Sequence, residues 1–322
     1  MKLLVTGGAG FIGSNFINYW SNKYKEDYII SVDKLTYASN TEYVNYNEFN
    51  NRYKLIKGDI SNYNLMDTLI KDTDTIINFA AESHVDNSIK SSKEFLNSNI
   101  YGIYNILELI RKYDKRFHQI STDEVFGSLP LNSKKLFNEN TKYNPKNPYS
   151  ATKASADFLV KSYINTYNIK ATISNCSNNF GPNQHREKLI PKTILNALNN
   201  EKIPVYGNGL QIRDWIYVYD HCSGIDYVIN KGKIGKSYLF SARNEKKNID
   251  VIKSILKILN KDESLIEYVK DRPGHDVRYG IDPEKTEKEL NWKPEYNFNS
   301  ALNSTVEHYV KNKNMYNTKD MS

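Results

Sequence analysis

The feature of this 322-residue sequence that most limits its fold is a regular alternation of short apolar runs with segments of helical period, up to residue 177. Parallel strands need crossover connections of about a dozen residues or more, so the alternation is typical of a parallel sheet covered by helices on both faces. The predicted strands are Lys2 to Thr6, Tyr28 to Asp33, Tyr53 to Lys57, Thr75 to Phe79, Phe117 to Ser121 and Ala171 to Cys176. The predicted helices are Gly10 to Lys23, Tyr63 to Lys71, Lys93 to Tyr113 and Tyr149 to Tyr167. The fold class that follows is α/β, with a doubly wound parallel sheet.

After residue 177 the alternation weakens and prolines interrupt shorter elements; these are Pro182, Pro191, Pro204, Pro273 and Pro283. We therefore expect one domain over residues 1–177 and a smaller α/β substrate-binding lobe that takes most of residues 178–310. No Gly/Ser linker separates them, so the boundary is soft and the chain is free to cross between lobes. Open α/β sheets bind ligands at the carboxyl ends of their strands, where we expect the smaller lobe to sit. We expect the polar segment 311–322 to fray.

Composition and charge narrow the class of protein. Residues are 39% hydrophobic and 25% charged, enough for a sizeable core, and no uncharged apolar run is long enough to cross a bilayer. The net charge of +7 comes from basic and acidic residues that are interspersed, which favours a solvated surface and could steer an anionic substrate. No basic stripe or nucleic-acid motif accompanies it, so nucleic acid is not the expected partner. The two cysteines, Cys176 and Cys222, occur without a recognisable secretion signal, and we expect a reducing cytoplasm.

The first predicted strand leads into a glycine-rich turn, Thr6-Gly7-Gly8-Ala9-Gly10-Phe11-Ile12-Gly13, which opens the first helix. Glycine lets the backbone turn tightly and approach a pyrophosphate, which then meets free N–H groups and the positive end of the helix. In this position the pattern predicts a dinucleotide site on a Rossmann-type sheet. An ordinary glycine-rich turn is the alternative.

Asp33 ends the second predicted strand 20 residues after Gly13, where a carboxylate can accept hydrogen bonds from both hydroxyls of an adenosine ribose. A 2′-phosphate would meet like charge there, so Asp33 favours NAD over NADP, although Lys34 next to it could soften the repulsion. Asp59 follows the third strand and is placed to reach the adenine edge. A helix cap is its other possible role.

A Y-x-x-x-K pair, Tyr149 and Lys153, begins the fourth predicted helix, and its i,i+4 spacing places both side chains on one face. A phenol with a pKa near ~10 is a poor base at neutral pH, but an ammonium and a cationic nicotinamide favour the phenolate. Thr122, at the end of the fifth strand, joins this pair as a polar partner. With 25 tyrosines in the chain the spacing alone is weak evidence, and its position behind the glycine turn strengthens it.

Together these residues resemble the extended short-chain dehydrogenase/reductase family, in which a T-G-x-x-G-x-x-G turn occurs with Y-x-x-x-K and an upstream Ser or Thr. Further segments are similar to those of the nucleotide-sugar 4,6-dehydratases in that family: Asp33 to Ala38, Ala80 to Asp86, Ser121 to Gly127 and Asp271 to Asp276. The resemblance extends from the first strand to about Trp292.

Asp123-Glu124 is the segment that discriminates among these relatives, because adjacent carboxylates can serve as a general acid and a general base on one substrate. Related epimerases usually carry neutral residues there. The resemblance implies that dTDP-glucose is dehydrated to dTDP-4-dehydro-6-deoxyglucose: oxidation at C4, elimination of water across C5 and C6, and reduction at C6 by the same cofactor. It implies catalytic roles for Thr122, Asp123, Glu124, Tyr149 and Lys153.

The resemblance also implies a bound NAD that each turnover regenerates, and a nucleotide-diphosphate sugar as substrate. The implied cofactor contacts are Gly7, Gly10, Phe11, Ile12, Gly13, Asp33, Lys34, Leu35, Thr36, Asp59, Ile60, Ala80, Ala81, Ser83, Ser98, Tyr149, Lys153 and Asn179. The implied substrate contacts are His84, Thr122, Asn179, Glu187, Lys188, Leu189, Pro204, Tyr206, Arg213, Asn248, Arg272 and His275. The segment Asn183 to Arg186 departs from the pattern, as it lacks the usual aromatic and Pro residues.

Three alternatives remain open: an NAD-dependent 4-epimerase, a 4,6-dehydratase of another nucleotide sugar, and an inactive dinucleotide-binding sensor or scaffold. No His/Cys cluster has the spacing of metal ligands, so no metal is expected. The segments Lys93 to Tyr113 and Ala151 to Tyr167 carry Tyr, Leu or Ile on more than one face, which indicates a partner. The resemblance implies a homodimer built as a four-helix bundle.

Overall fold

The computed structural model describes residues 1–49, 51–271 and 273–316. Its strands are β1 (Lys2–Thr6), β2 (Tyr28–Asp33), β3 (Tyr53–Lys57), β4 (Thr75–Asn78), β5 (Arg116–Thr122), β6 (Lys170–Cys176), β7 (Asn178–Phe180), β8 (Ile203–Tyr206), β9 (Ile212–Tyr217), β10 (Ser237–Phe240), β11 (Glu245–Lys247) and β12 (Ile266–Val269). Its helices are α1 (Phe11–Lys23), α2 (Tyr63–Lys71), α3 (Val85–Lys90), α4 (Lys93–Leu96), α5 (Gly102–Tyr113), α6 (Pro148–Tyr167), α7 (Leu189–Leu198), α8 (Val218–Lys231), α9 (Asn248–Ile258), α10 (Glu284–Leu290), α11 (Phe298–Lys311) and α12 (Lys313–Tyr316). Short 3₁₀ turns cover Thr41–Tyr43, Tyr46–Glu48, Asp123–Phe126 and Glu263–Leu265.

The central sheet has seven strands in the order β10-β6-β5-β4-β1-β2-β3, and every neighbouring pair is parallel. The predicted doubly wound α/β sheet is confirmed, and the six strands expected from the sequence agree with the structure to within one residue at each end. In the register, Thr6 pairs with Val32 and with Asn78. The carboxyl ends of β1, β2 and β4 therefore meet along one edge of the sheet.

Alternating side chains of the strands pack into two cores, one on each face of the sheet. Leu4 faces a core shared with α2, α5 and α6, whereas its neighbours Leu3 and Val5 face a core shared with α1 and α8. This alternation is the reason why the strands read as continuous apolar runs, because both faces of a parallel sheet are buried. All three side chains are fully buried.

The predicted helix Lys93 to Tyr113 is interrupted, and this is a correction to the sequence analysis. The structure has a π-helical segment, Asn97–Tyr101, between α4 and α5. Within it the buried Asn99 side chain binds the backbone N–H and C=O of Glu82 and the hydroxyl of Thr152. These bonds join the segment after β4 to α6. A π-bulge often marks a functional position, and Ser98 in this one lines the cleft described below.

The remaining strands form two small sheets. β9 pairs with β7 in parallel and with β11 antiparallel, and β8 pairs with β12 in parallel. Helices α7, α9 and α11 bury their apolar sides in a common core with the three-stranded sheet. The chain returns to the large sheet at α8 and β10, so the part after residue 177 contributes to both.

The sequence predicts that the chain frays from residue 311, whereas the structure is largely helical as far as Tyr316. α11 continues to Lys311, α12 follows it, and Tyr316 is 4% exposed. The sequence of this segment is polar, but the side chain of Tyr316 fills an aromatic pocket. Residues 317–322 lie outside the described part of the chain.

Candidate active site

The glycine turn between β1 and α1 is closed tightly against the segment after β4. Gly7 has φ +70°, and a Cβ there would lie 2.6 Å from the Ala80 nitrogen; a Cβ on Gly13 would lie 2.3 Å from the Gly7 oxygen. No side chain caps α1, whose N-cap is Gly10. A side chain is thus excluded where a pyrophosphate would approach the backbone and the helix end, so the turn fits a dinucleotide.

Asp33 ties the end of β2 to this turn. Its Oδ2 accepts a hydrogen bond from the Ala9 N–H at 3.0 Å, and its Oδ1 accepts from the Leu35 N–H and the Ser39 hydroxyl, both at 2.8 Å. Leu35 is not part of the cleft wall, whereas Asp33 and Ser39 are. The carboxylate is therefore fixed at the edge where the sequence predicts the adenosine ribose.

Lys34 forms ion pairs with two carboxylates, at 3.1 Å to Asp59 and 3.4 Å to Glu94. Oδ1 of Asp59 also accepts a hydrogen bond from the Ser61 N–H at 2.8 Å. The positive charge of Lys34 is thus already engaged by protein carboxylates. It offers little to a 2′-phosphate.

All five predicted catalytic residues line the same cleft; these are Thr122, Asp123, Glu124, Tyr149 and Lys153. The first three share the carboxyl end of β5 and the 3₁₀ turn after it, where the Thr122 hydroxyl accepts a hydrogen bond from the Glu124 N–H at 3.3 Å. The last two lie on the first turns of α6, which begins with Pro148 and a capping box formed by Asn147 and Ser150. Local sequence therefore fixes both halves of the constellation.

Of the two carboxyl groups at this edge, Asp123 is fully buried, and burial penalises its charged form. Asp123 is 1% exposed, and burial, followed by the charges of Glu124 and Asp214, raises its pKa well above the usual value, although Arg213 opposes the shift. Its Oδ1 accepts a hydrogen bond from Thr122, whereas Oδ2 has no partner within residues 1–49, 51–271 and 273–316. Burial thus favours the protonated form of Asp123.

The structure does not support the expectation that the Lys153 ammonium favours the phenolate form of Tyr149. Burial, followed by the charges of Glu124, Cys176 and Asp123, raises the pKa of Tyr149 well above its usual value. The Lys153 ammonium instead donates to the Ile120 carbonyl at 2.7 Å, and burial lowers its pKa. Protein groups alone therefore keep Tyr149 as a phenol.

A buried hydrogen-bond network behind the catalytic edge was missed by the sequence analysis. Oδ2 of Asp157 accepts from the hydroxyls of Ser121 at 2.7 Å and Tyr143 at 3.0 Å, and from the Asn175 amide at 3.3 Å. The same amide donates to the Thr122 carbonyl at 3.1 Å. Asp157 lies four residues after Lys153 on α6, and this i,i+4 step is the one signal that could have found it.

The loop before α7 brings charged groups to the other side of the cleft. Glu187 lies between His84 at 3.6 Å and His185 at 3.5 Å, and Lys188 is 3.6 Å away. Burial raises the pKa of Glu187, but His185 and Lys188 outweigh it, so the pKa is lowered and the side chain is ionised. The Lys188 ammonium also donates to the Ser83 carbonyl at 3.2 Å, which joins this loop to the segment after β4.

Asn179 is anchored under the centre of the cleft. Its amide nitrogen donates to the Ser177 carbonyl at 3.0 Å, and its Oδ1 lies 2.9 Å from Nδ1 of His221. Burial lowers the pKa of His221 to about 3, so this ring is neutral. His221 thus supports Asn179, a predicted site residue.

The structure brings most of the predicted cofactor residues into the wall of this cleft and leaves part of the substrate set outside it. Predicted residues that do not line it are Leu35, His84, Leu189, Pro204, Tyr206, Arg213, Asn248 and His275, and Arg272 lies outside the described residues. Wall residues that the sequence analysis did not assign include Ala38, Ser39, Gly58, Glu82, Cys176, Ser177, Asn178, Gln184 and His185. Each of these lies within three residues of an assigned residue in the sequence, and that proximity was their signal.

Several substrate-set residues outside the wall interact in pairs. The Tyr206 hydroxyl donates to Asp86 at 3.3 Å, and its ring meets that of His275 edge-on at 6.2 Å. The Arg213 guanidinium lies 4.2 Å from the centre of the Tyr279 ring. It donates to the carbonyls of Ile212 and Asp276, so backbone and ring fix its orientation.

Two negative findings apply to the ranges that the structure covers. They contain no group of three His, Cys, Asp or Glu side chains that could hold a metal ion. They also contain no helix with the length and apolar character needed to cross a bilayer.

The chain is similar to known proteins in both sequence and fold. The family model described as GDP-mannose 4,6 dehydratase matches residues 4–305. A curated relative from Mycobacterium tuberculosis, named dTDP-glucose 4,6-dehydratase, is 43% identical over 98% of this chain and 95% of its own length. A solved dTDP-glucose 4,6-dehydratase of Bacillus anthracis in complex with NAD is 44% identical, with a TM-score of 0.92 and 98% of each chain covered. Another, from Streptomyces venezuelae with NAD and dTDP bound, is 37% identical, with a TM-score of 0.95, and covers 98% of this chain and 99% of that one.

Proposed function

This chain belongs to the GDP-mannose 4,6-dehydratase family, and we propose that it dehydrates dTDP-glucose to dTDP-4-dehydro-6-deoxyglucose in deoxysugar biosynthesis. The observation that carries this activity is the position of Asp123 and Glu124 beside Thr122, Tyr149 and Lys153 in one cleft. Dehydration needs an acid and a base next to the carbon centres that react, and a buried carboxyl with a raised pKa beside a second carboxyl group can supply both. The chain is thus an NAD-dependent hydro-lyase.

NAD is the cofactor that the cleft fits. Gly7, Gly10 and Gly13 leave room for the pyrophosphate, and Asp33 is held where it can accept hydrogen bonds from the adenosine ribose. The ion pairs of Lys34 favour NAD over NADP. Bound NAD supplies a hydride acceptor for C4 and later a hydride donor for C6, and it brings a positive charge close to Tyr149.

The first step that the protein residues serve is oxidation at C4. We assign to Tyr149 Oη the removal of the C4 hydroxyl proton and to Thr122 Oγ1 a hydrogen bond to the same oxygen. Lys153 holds the ribose and adds positive charge to the site. Because burial and the carboxylates raise the pKa of Tyr149, the phenol needs nearby positive charge before it can act as a base.

The second step is elimination across C5 and C6. The C4 ketone acidifies the C5 hydrogen, which Glu124 removes as a proton. Asp123 gives its proton to the C6 hydroxyl, which leaves as water, and the electron pair from C5 forms the C5–C6 double bond. A proton then returns to C5 as C6 is reduced, so the net change is the loss of one water.

The substrate contacts on the smaller lobe remain part of the proposal. Glu187 and Lys188 face the cleft, and Asn179 is anchored beneath it. The remaining proposed contacts are His84, Leu189, Pro204, Tyr206, Arg213, Asn248, Arg272 and His275. Arg213 is suited to a diphosphate because its planar guanidinium can bind two oxygens, and its stacking on Tyr279 orients it in advance.

Parallel incubation of the purified protein with dTDP-glucose and UDP-glucose tests the activity. We expect a 4-keto-6-deoxy product from dTDP-glucose, identified by mass spectrometry and NMR. An epimerised sugar of unchanged mass would support the 4-epimerase instead, and turnover of UDP-glucose alone would reassign the base. Absence of any product from both sugars, with NAD retained, would favour a sensor or scaffold.

We propose a homodimer built on α4, α5 and α6. Large side chains on these helices and the π-segment are at least 43% exposed; these are Leu96, Tyr101, Tyr104, Phe158 and Tyr167. Tyr101 and Tyr104 stack on each other, and the Arg111 guanidinium lies 4.0 Å from the Tyr167 ring centre. A second copy would cover this face with the same residues, as two-fold dimers do. Light scattering at micromolar concentration should give twice the chain mass, and a monomeric mass would contradict the dimer.

We also propose that residues 1–177 mainly hold NAD and that residues 178–310 mainly hold the nucleotide sugar. The cleft wall supports this division, because the glycine turn lines one side and the loop with Glu187 lines the other. For the cellular location we propose the cytoplasm. Its support is that Cys176 and Cys222 are both buried free thiols.

A further inference from the structure

The last described helices cover the loop that leads to Glu187. α11 and α12 place Tyr316 in a pocket where its ring centre is 4.4 Å from that of Tyr309. Nε2 of His308 lies 2.8 Å from the Tyr316 hydroxyl. Tyr309 is fully buried and Tyr316 is 4% exposed. The side chains of Tyr309 and Tyr316 are thus buried as deeply as core residues.

Three hydrogen bonds join this aromatic pocket to the loop. The Asn183 N–H donates to the Tyr316 hydroxyl at 3.3 Å, and Nη1 of Arg186 donates to the Tyr316 carbonyl at 3.4 Å. The Tyr309 hydroxyl donates to the Gln184 carbonyl at 2.6 Å. Three of the four residues from 183 to 186 are therefore held by the C-terminal segment.

The loop is one whose backbone needs such support. Asn183 has φ +69°, a left-handed conformation that residues other than glycine adopt at some cost. Its side-chain amide lies 3.4 Å from the Ser14 hydroxyl and 3.5 Å from the Tyr43 carbonyl, at the limit of hydrogen bonding. The Gln184 side-chain amide also donates to the Asn179 carbonyl at 2.9 Å, and the bonds from Tyr316 and Tyr309 hold the same turn from the other end of the chain, directly before Glu187.

We propose that Tyr316, together with Tyr309, is a positioning residue for the nucleotide sugar, because it fixes residues 183–186 so that Glu187 and Lys188 face the cleft. The proposal rests on the proposed function, which assigns Glu187 and Lys188 to the substrate. Tyr316 itself does not line the cleft, so it acts through the loop.

A kinetic comparison separates positioning from simple stabilisation. Tyr316→Phe keeps the ring and removes the hydroxyl that accepts from Asn183, and Tyr316→Ala removes both. Tyr24→Phe is the matched control, because it removes a hydroxyl that donates to the buried Asp226 at 2.7 Å, away from the cleft wall. We expect Tyr316→Phe to raise the KM for dTDP-glucose by about 5-fold to 10-fold, the equivalent of one lost hydrogen bond, and Tyr316→Ala to raise it further. The kcat and the NAD content should stay within about twofold of wild type.

Limited proteolysis provides a readout that needs no substrate. Trypsin can cleave after Arg186 and Lys188, and we expect both cleavages to be faster in the two Tyr316 variants and unchanged in Tyr24→Phe. If the wild type does not turn over dTDP-glucose, the proposed function fails while the proteolysis result still decides the role of Tyr316. An unchanged KM with unchanged cleavage in Tyr316→Ala, or equal effects in Tyr24→Phe, would overturn the proposal.

Discussion

The Thr122 hydroxyl lies 3.3 Å from Oδ1 of Asp123, on the side of the carboxyl opposite to Oδ2, which has no hydrogen-bond partner within the described ranges. Burial and the neighbouring charges of Glu124 and Asp214 raise the pKa of Asp123 well above its usual value, which favours its protonated form. A neutral carboxyl with one oxygen unengaged is suited to protonate a leaving hydroxyl. This asymmetry is the reason for assigning the acid to Asp123 and the base to Glu124.

Replacing Asp123 by Asn should slow the loss of water and leave the earlier steps intact, because an amide cannot give its proton to the C6 hydroxyl. General acids typically contribute about 10² to 10⁴-fold, so we expect kcat to fall within that range. The appearance of product by NMR measures the effect. NAD content is the control and should match that of wild type, and full turnover by Asp123→Asn would remove the acid role.

Replacing Glu124 by Gln should instead slow the removal of the C5 proton. We expect a similar fall of about 10² to 10⁴-fold in kcat, with loss of the exchange of deuterium from heavy water into C5. Asp123→Asn, in contrast, should retain that exchange. If both variants exchanged deuterium into C5 at the wild-type rate, or if the double variant kept full activity, the roles of acid and base would have to be assigned to other residues.

The parts of the site that the sequence predicts correctly are those that short spacing fixes. The glycine turn places Gly7, Gly10 and Gly13 beside the end of β2. The i,i+4 spacing places Lys153 on the same face of α6 as Tyr149. Such motifs carry their geometry in consecutive residues, since a strand end, a turn and a helix start are local. The doubly wound sheet was predictable for another reason, because strands that alternate with crossover helices pair in parallel.

The parts that the sequence did not predict depend on contacts between distant segments. Asp157 reaches Ser121 and Asn175 only after β5, β6 and α6 have packed together. Asn99 binds Glu82 and Thr152 through a π-bulge that no periodicity indicates. The polar composition after residue 311 predicted an unstructured segment. The burial of a single side chain, that of Tyr316, leaves no periodic pattern in the sequence.

The glycine turn makes a prediction about the resident cofactor. Nucleotide extracted from the purified protein should be mainly NAD, and recovery of mainly NADP would contradict the role of Asp33. Gly13→Ala should lose most of the bound NAD, because its Cβ would lie 2.3 Å from the Gly7 oxygen. Gly10→Ala is the milder comparison, with its nearest atom at 3.3 Å. Equal retention by both variants would show that the close approach does not shape the site.

Buried histidines make stability depend on pH. His118 lies between Thr172 and Ser174 in the sheet, and burial lowers its pKa to about 3, against ~6.5 in an unfolded chain. Below pH ~6.5 the His118 ring binds a proton in the unfolded state but not in the native state. Its contribution to the free energy of unfolding is therefore fully present above pH ~6.5 and is lost as the pH falls towards ~3. Each such group adds a slope of about 1.4 kcal/mol per pH unit to the free energy of unfolding.

Urea unfolding of the wild type and His118→Gln, measured from about pH 6 to about pH 4, tests this slope. The stability of the variant should fall by about 1.4 kcal/mol less per pH unit than that of wild type. His221 remains in both proteins, so its contribution cancels in the comparison. Parallel curves would mean that His118 is protonated in the folded protein.

Isotopic labelling follows the hydrogens through the whole reaction and separates dehydration from its rivals. If Tyr149 directs oxidation at C4 and the same cofactor reduces C6 before the sugar leaves, the hydrogen from C4 must reappear at C6. dTDP-glucose deuterated at C4, in ordinary water, should therefore give a deuterated C6 methyl group, while C5 takes its hydrogen from solvent through Glu124. NMR and mass spectrometry of the product locate the label. Return of the deuterium to C4 would indicate an epimerase-like cycle, and its loss to free cofactor would contradict a bound, regenerated NAD.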